Sequence, residues 1–395
     1  MSKVLFINGN AHGHVNPTLA LVKELTIRGE EVVYYSTEPF RNKIEVAGAV
    51  FRAYGEKLDR FLSNYRPGGS HPFYTLIEFM LKMDAEVIPL VIEGTKAESY
   101  DYMIHDSMFG GGRILAQLLG LPAICSCTSF AMSGLPFPKD KLLPGIHPQL
   151  DLIYDDLAQL QDRWNLDSLT IMDIFFKKEK LNLVYTSKLF QPASDTFDES
   201  FKFAGPSILQ RDEILDFEVQ KDKEEKIVYI SMGTINNSCM DFYGKCIEAF
   251  ASSSLRIIMS IGNKNDVSTL GELPGNFIVR NHVPQLEVLK KADVFISHGG
   301  LNSVSEALYF GVPVIALPQA NDQPMVAGQL VKFDAGIQLD MREVTPDILK
   351  ESVNRILSDI KYKTAAEKIG LSFKDAGGYK TAADYIFEFK RTNQI

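Results

Sequence analysis

Two histidines, His12 and His14, stand two residues apart just after the first apolar strand of the chain. A histidine side chain titrates close to neutral pH, so it can take a proton from a hydroxyl group as a general base. Two histidines at this spacing can also bind a metal ion, although no further histidine or carboxylate stands nearby in the sequence. Capping of the turn is a third interpretation. We favour the general base, and the residues alone leave open which histidine it is.

Asp106 is the carboxylate that could orient such a base. It follows an apolar segment at residues 102–105 that is typical of a buried strand. Because the carboxyl ends of parallel strands meet at one edge of a sheet, we expect Asp106 near the histidine that acts as base. A base histidine needs an acceptor on its other ring nitrogen, and a buried carboxylate provides one. The alternative is that Asp106 caps the N-terminus of the next helix.

A second set of polar residues follows a predicted strand at residues 293–297, beginning with a His-Gly-Gly turn. Ser303 is predicted to open the next helix. A strand, a glycine turn and a helix N-terminus together form an anion site, because unpaired N–H groups and the helix dipole point at the ligand. Asn302 and Ser303 can donate to phosphate oxygens, and Glu306 can accept both hydroxyls of a ribose. The same Ser303/Glu306 spacing is also that of a capping box, which needs no ligand.

The polar positions between residues 281 and 323 form a longer ordered pattern. It resembles the signature of the family 1 UDP-glycosyltransferases, in which a Pro-Gln pair, an HGG-x-NS-x-x-E core and a final D/E-Q follow in order. The matching positions here are Pro284, Gln285, His298, Gly299, Gly300, Asn302, Ser303, Glu306, Asp322 and Gln323. The likeness runs nearly end to end and resembles the bacterial branch that glycosylates macrolides and flavonoids. Many relatives carry Trp where this chain has His282, whose imidazole offers less area for stacking on uracil.

The resemblance assigns roles to these positions. The His of a GH-x-x-P pattern is the catalytic base of the family, which selects His14, and an Asp at the position of Asp106 pairs with it. Backbone groups at Val283 and Gln285 bind uracil, and Asp322 and Gln323 bind sugar hydroxyls. The glycine of a Ser-Met-Gly-Thr turn lets the backbone approach a phosphate, to which the Thr hydroxyl can donate. The predicted donor site comprises Thr234, His282, Val283, Gln285, His298, Gly300, Asn302, Ser303, Glu306, Asp322 and Gln323.

Apolar residues of the first half are candidates for an acceptor pocket. Each of them alone is equally compatible with ordinary core packing. Together they suggest a deep, adaptable pocket for flat or large apolar acceptors. The candidates are Phe73, Phe79, Met83, Met108, Phe109, Phe130, Met132 and Phe137.

The alternation of strand and helix patterns predicts an α/β protein with two Rossmann-like, doubly wound halves facing each other across a cleft. We expect a first domain at residues 1–206, a charged linker at 207–226 and a second domain at 227–376. Residues 55–72 interrupt the pattern and are predicted to form a surface loop. The resemblance implies the GT-B fold, whose last helix, at residues 377–395 here, usually packs back on the first domain.

Composition excludes several classes of protein. The net charge of −9 and the lack of a basic cluster argue against a nucleic-acid partner. No apolar run reaches the roughly 18 residues of a membrane span, and the first strand begins too early for a signal peptide. Four cysteines in 395 residues form no disulfide framework, so we expect a reduced, cytoplasmic environment and no membrane partner.

These observations predict an inverting UDP-sugar-dependent glycosyltransferase with UDP-glucose as the expected donor. It would add a hexose to hydroxyl groups of apolar small molecules such as flavonoids, other polyphenols or macrolides. No D-x-D sequence occurs, so we expect no metal and no cofactor besides the donor co-substrate. A nicotinamide oxidoreductase would need G-x-G-x-x-G after a strand, which the chain lacks. A non-catalytic sugar-nucleotide-binding module would carry the donor residues without a base.

Overall fold

A computed structural model of the chain describes residues 1–66, 71–108, 111–132, 134, 139–166, 168–175, 178–209, 217, 219, 221–222, 224–234 and 237–395. Phe109, Phe137 and much of the predicted linker lie outside these described residues. The chain divides into two compact units. The first unit comprises Met1–Tyr185, Ala193–Ser207 and Gly377–Ile395, and the second comprises Thr186–Pro192 and Ile208–Ala376.

The first unit is built around a fully parallel seven-stranded sheet with the strand order β3-β2-β1-β4-β5-β6-β7. Short 3₁₀ turns occur at Glu38–Phe40, Lys139–Leu142 and Ser194–Thr196. The helices and strands are β1 (Lys3–Ile7), α1 (His12–Ile27), β2 (Glu31–Ser36), α2 (Arg41–Val46), β3 (Val50–Ala53), α3 (Glu56–Asn64), α4 (Pro72–Thr95), β4 (Tyr102–Asp106), α5 (Gly112–Leu119), β5 (Ala123–Cys127), α6 (Pro148–Trp164), α7 (Ile171–Phe175), β6 (Leu181–Val184) and β7 (Phe201–Phe203).

The second unit is built around a parallel six-stranded sheet with the strand order β10-β9-β8-β11-β12-β13. A 3₁₀ turn occurs at Val267–Leu270. The remaining elements of the chain are β8 (Ile227–Ser231), α8 (Met240–Phe250), β9 (Arg256–Ser260), β10 (Phe277–Arg280), α9 (Gln285–Leu289), β11 (Val294–Ser297), α10 (Leu301–Tyr309), β12 (Val314–Ala316), α11 (Gln323–Lys332), β13 (Gly336–Gln338), α12 (Pro346–Ser358), α13 (Ile360–Asp375) and α14 (Gly378–Asn393).

Both faces of the first sheet are buried, as the side-chain alternation of β1 shows. Leu5 and Ile7 pack into a core with residues of α4 to α7, whereas Val4 and Phe6 pack into a second core with residues of α1, α2 and α14. The last helix of the chain, α14, therefore belongs to the first unit and lies against α1. Helices on both faces of a parallel sheet make a doubly wound unit, which confirms the predicted fold class.

Buried ionic and hydroxyl contacts fix α14 in this position. Lys390 on α14 donates to Glu30 at 2.6 Å, and Tyr102 donates to the other oxygen of the same carboxylate at 2.9 Å. Lys390 and Glu30 are both buried, so each charge depends on the other for compensation.

Among the described residues, no helix is both long and apolar enough to span a membrane.

Three local predictions were wrong. Asn16 and Pro17 are typical of an N-cap and a first helical position and predict a helix start there. The helix begins at His12 instead, so Pro17 lies inside α1, where it cannot donate a backbone hydrogen bond. The helix predicted to open at Ser303 begins two residues earlier, at Leu301. The predicted loop at residues 55–72 contains α3, whose apolar side, including Leu58, packs into the core.

Candidate functional site

His14 and Asp106 meet at the carboxyl edge of the first sheet. Nδ1 of His14 lies 2.9 Å from Oδ2 of Asp106. The His14 side chain is 30% exposed, whereas that of Asp106 is completely buried. A carboxylate can only accept, so it selects the tautomer with the proton on Nδ1 and leaves the lone pair on Nε2. This is the arrangement that a general base requires.

The sheet places the two side chains together. β1 and β4 are neighbouring parallel strands, with Ile7 opposite His105. The turn after Ile7 is short, so His14 lies in the first turn of α1. Asp106 does not cap the next helix, since the N-cap of α5 is Gly111. That alternative for Asp106 is therefore wrong.

Asp106 is held as an anion by the groups around it. Burial acts to raise its pKa, but the charge and hydrogen bond of His14 oppose this, helped by the backbone N–H of Met108 at 2.7 Å and the hydroxyl of Thr128 at 2.8 Å. The net effect is a pKa below the ordinary value of an aspartate. The carboxylate therefore stays charged at neutral pH and can stabilise an imidazolium.

His12 packs on a residue outside this pair. Its ring packs edge-on against Phe40, with the ring centroids 4.9 Å apart. In the part of the chain that the structure describes, no three His, Cys, Asp or Glu side chains cluster as metal ligands would.

A small cavity opens beside the pair, within the first unit. Its volume is about 50 Å³, and its lining includes the predicted acceptor residues Met108, Phe130 and Met132. Phe73 packs edge-on against Phe175, which also lines the cavity. These four predicted residues therefore lie at or next to one cavity. The cavity is close to the His14–Asp106 pair, hereafter the dyad, because the backbone N–H of Met108 donates to Asp106.

The remaining acceptor candidates lie elsewhere. Met83 is buried in the core of the first sheet and has a packing role there. Phe79 packs on Tyr65, with the ring centroids 5.1 Å apart, beside a separate open groove that α3 lines. Phe79 and Met83 share one core cluster with Phe73, Met108 and Met132, but neither of them lines the cavity.

In the second unit, two predicted turns meet at His298. β8 and β11 are paired with Ser231 opposite Ser297, so the Ser-Met-Gly-Thr turn and the His-Gly-Gly turn leave the sheet side by side. A Cβ atom on Gly233 would lie 2.6 Å from Cε1 of His298, and one on Gly300 would lie 2.5 Å from its Nε2. The imidazole is thus packed between two glycines that no larger residue could replace without displacing it.

This packing changes the chemistry of His298. Desolvation by burial lowers its pKa to about 4. At neutral pH the ring is therefore uncharged and can offer a hydrogen bond to an anion, but not a positive charge. Nδ1 lies 3.3 Å from the hydroxyl of Ser297, which leaves Nε2 as the nitrogen facing Gly300 and the start of α10.

The start of α10 adds further donors. Its N-cap is Gly300, and its first bond runs from the N–H of Val304 to the carbonyl of Gly300 at 3.0 Å. The N–H groups of the first turn, including those of Asn302 and Ser303, have no acceptor within the helix. Ser303 is the third residue of α10 and Glu306 the sixth, so Ser303 does not stand at the N-cap position, nor Glu306 at the N3 position, that a capping box requires. The capping-box interpretation is therefore wrong.

Glu306 instead ends a chain of side-chain hydrogen bonds. Its Oε2 accepts from Nε2 of Gln285 at 2.5 Å, and the same nitrogen lies 3.5 Å from the hydroxyl of Ser303. Oε1 of Gln285 accepts from the hydroxyl of Tyr229 at 3.1 Å. Glu306 is buried, so this chain fixes a carboxylate at the edge of the second sheet.

The other predicted donor residues lie at the same edge. Gln323 follows β12, and its Oε1 accepts from the backbone of Gln319 and Ala320 at 2.7 and 3.1 Å. Asp322 is the N-cap residue of α11, and a Cβ atom on Gly299 would lie 3.6 Å from the carbonyl of Gln323. Val283 is buried, whereas His282 and Thr234 are exposed. The structure thus brings the predicted donor residues together at the carboxyl edge of one sheet.

Comparison with known proteins agrees with this arrangement. The family described as "Erythromycin biosynthesis protein CIII-like, C-terminal domain" matches residues 245–373. The chain is 36% identical to "Uncharacterized UDP-glucosyltransferase YojK" of Bacillus subtilis strain 168, over 98% of this chain and 97% of the relative. It is 34% identical to the NDP-glycosyltransferase YjiC of the same organism, over 99% of this chain and 98% of the relative. The chain belongs to the family 1 UDP-glycosyltransferases.

A solved structure supports the fold of this glycosyltransferase. The crystal structure of CalG4, the calicheamicin glycosyltransferase, matches with a TM-score of 0.87 and 26% identity, over 99% of this chain and 98% of CalG4. The protein therefore has the GT-B fold and is an enzyme with a nucleotide-sugar donor. Family membership excludes both the nicotinamide oxidoreductase and the non-catalytic binding module.

Two residues at the site of this glycosyltransferase were missed in the sequence. Thr128 follows β5 directly, as Asp106 ends the neighbouring strand β4, so its position at the sheet edge was a usable signal. Tyr229 lies within the apolar strand β8. The sequence gave no indication that its hydroxyl lies at the site, because the pattern does not show on which face of the sheet the Tyr229 side chain lies.

Proposed function

We propose that this glycosyltransferase transfers a hexose with inversion from a UDP-sugar, expected to be UDP-glucose, to hydroxyl groups of apolar small molecules. Polyphenols such as flavonoids, and macrolides, are the expected acceptors. The observation that carries the proposal is the 2.9 Å hydrogen bond between Nδ1 of His14 and the buried Oδ2 of Asp106. It sets the tautomer and the orientation of a base whose partner, Asp106, accepts from Met108 in the lining of a small cavity.

In the proposed step, Nε2 of His14 removes the proton from an acceptor hydroxyl as its oxygen attacks the anomeric carbon. The bond between that carbon and the diphosphate oxygen breaks on the opposite face, and UDP leaves as the anion. Asp106 remains ionised and stabilises the imidazolium that forms. Attack opposite the leaving group inverts the anomeric configuration.

The donor site supports this step by positioning groups around the leaving group. Neutral His298 and the first turn of α10 are proposed to donate hydrogen bonds to the diphosphate, and Glu306, which Gln285 holds in place, is proposed to accept from a ribose. Asp322 and Gln323 are proposed to bind hydroxyls of the sugar. The relative YojK is named as an uncharacterised UDP-glucosyltransferase, which supports UDP-glucose as the donor to test first.

The direct test is incubation with UDP-glucose and a set of acceptors, followed by mass spectrometry. We expect addition of one hexose to several flavonoids, simple phenols and macrolides, because methionine and phenylalanine side chains beside the base can change rotamer and widen a cavity of only about 50 Å³. No product with any acceptor from UDP-glucose would contradict the proposed donor, and turnover of a single scaffold would contradict the broad acceptor range. Omitting the protein is the control for chemical transfer.

Transfer is expected to be independent of metal ions. The chain lacks a D-x-D sequence, and the proposed diphosphate site is built from N–H donors and a helix N-terminus. Activity should therefore survive prolonged dialysis against EDTA. A loss of more than about tenfold that magnesium or manganese restores would show that a metal carries leaving-group charge.

A further inference from the structure

We infer that Thr128 is a positioning residue for the base, an inference that rests on the proposed role of His14. The hydroxyl oxygen of Thr128 lies 2.8 Å from Oδ2 of Asp106 and 2.9 Å from Nδ1 of His14. Nδ1 of His14 and Oδ2 of Asp106 lie 2.9 Å apart, so the three atoms form a triangle of hydrogen-bond distances. Thr128 therefore touches both members of the dyad at the same atoms by which they touch each other.

The direction of these hydrogen bonds follows from the groups present. The carboxylate of Asp106 can only accept, so the single proton of the Thr128 hydroxyl points to Oδ2. The oxygen of that hydroxyl then faces the proton on Nδ1 of His14 as a second acceptor. The imidazole is held by two acceptors rather than one, which restricts rotation of the ring about its bond to Cβ.

The fold gives Thr128 little freedom of its own. It follows the last residue of β5, whose pairing with β4 sets Asp106 opposite Ser126. The residue is only 5% exposed, and a β-branched side chain has few accessible rotamers. The hydroxyl is thus fixed relative to the sheet, and it transmits that rigidity to the more exposed ring of His14. Proton transfer depends steeply on such geometry.

The test compares Thr128→Val with wild type on an aliphatic alcohol and on an acidic phenol, with UDP-glucose as donor. We expect kcat on the alcohol to fall about 3- to 10-fold, the effect of one net hydrogen bond, with the KM for the donor unchanged. The acidic phenol ionises more readily and depends less on the base, so its loss should be smaller. Thr128→Ser keeps the hydroxyl and should recover most of the activity.

Ser126→Ala is the matched control. It removes a buried hydroxyl two residues earlier, one that pairs with Tyr185 at 3.1 Å rather than with the dyad, and it should leave transfer unchanged. Equal losses on both acceptors, or an increased KM for the donor at unchanged kcat, would overturn the positioning role alone. So would a fully active Thr128→Val beside an inactive His14→Ala. A fully active His14→Ala would overturn the proposed base, and the role of Thr128 with it.

Discussion

Replacing His14 with alanine is expected to lower kcat about 10²- to 10⁴-fold on an alcohol acceptor, the range that a positioned general base contributes. A neutral hydroxyl is a poor nucleophile and needs a proton acceptor as it attacks. Asp106 cannot substitute for the missing ring, because it is completely buried. Affinity for UDP should stay nearly constant, since the proposed nucleotide contacts are made by residues of the second unit. Initial rates and calorimetry with UDP measure the two effects separately.

His12→Ala is the matched control for this substitution. It removes an imidazole two residues away that packs on Phe40, and it should keep most of the activity. Asp106→Asn should cost less than His14→Ala, because it keeps the base but removes the anion that orients the ring. Acidic phenols should partly rescue His14→Ala. A nearly active His14→Ala together with an inactive His12→Ala would show that the base was assigned to the wrong histidine.

Much of the site was predictable because both sheets are parallel. Polar residues that directly follow apolar strands gather at one edge of such a sheet. This rule placed Asp106 at the same edge as His14, and in the structure the two side chains are in contact. The roles of these residues came from the resemblance to the family and stay predictions until the variants are measured.

The details that failed depend on side-chain packing rather than on pattern. The spacing of Ser303 and Glu306 suggested a capping box, but α10 starts two residues earlier and turns Glu306 toward Gln285 instead. Helix termini shift by one or two residues at little energetic cost, so the sequence could not decide between these interpretations.

Long-range contacts explain why the extent of the first domain could be predicted only in part. Residues 186–192 fall within the predicted first domain but pack in the second unit. There the carbonyl of Phe190 accepts from Gln329 at 2.7 Å, and its ring meets that of Phe373 edge-on at 5.7 Å. These partners lie more than a hundred residues away in the chain. No local pattern indicates such a pairing.

Replacing Glu306 with alanine is expected to weaken UDP binding by about 1–3 kcal/mol, or roughly 5- to 150-fold in Kd. The substitution removes the proposed ribose acceptor and leaves the amide of Gln285 without its 2.5 Å partner in a buried site. A smaller loss is expected for Gln285→Ala, which keeps the carboxylate but removes one of the groups that fix it. Tyr229→Phe should have the smallest effect, because it removes only the hydroxyl that orients Gln285. Calorimetric titration with UDP measures all three variants.

Ser305→Ala separates this role from a general loss of helix stability. Ser305 is the neighbouring residue on α10, and its buried hydroxyl makes no hydrogen bond among the described residues, so its removal should leave Kd unchanged. If Glu306→Ala lowers the melting temperature while Kd for UDP stays at the wild-type value, Glu306 supports α9 and α10 and does not bind ribose. A graded loss in the order Glu306, Gln285, Tyr229 would instead show that the carboxylate binds the nucleotide and that its affinity depends on the two residues behind it.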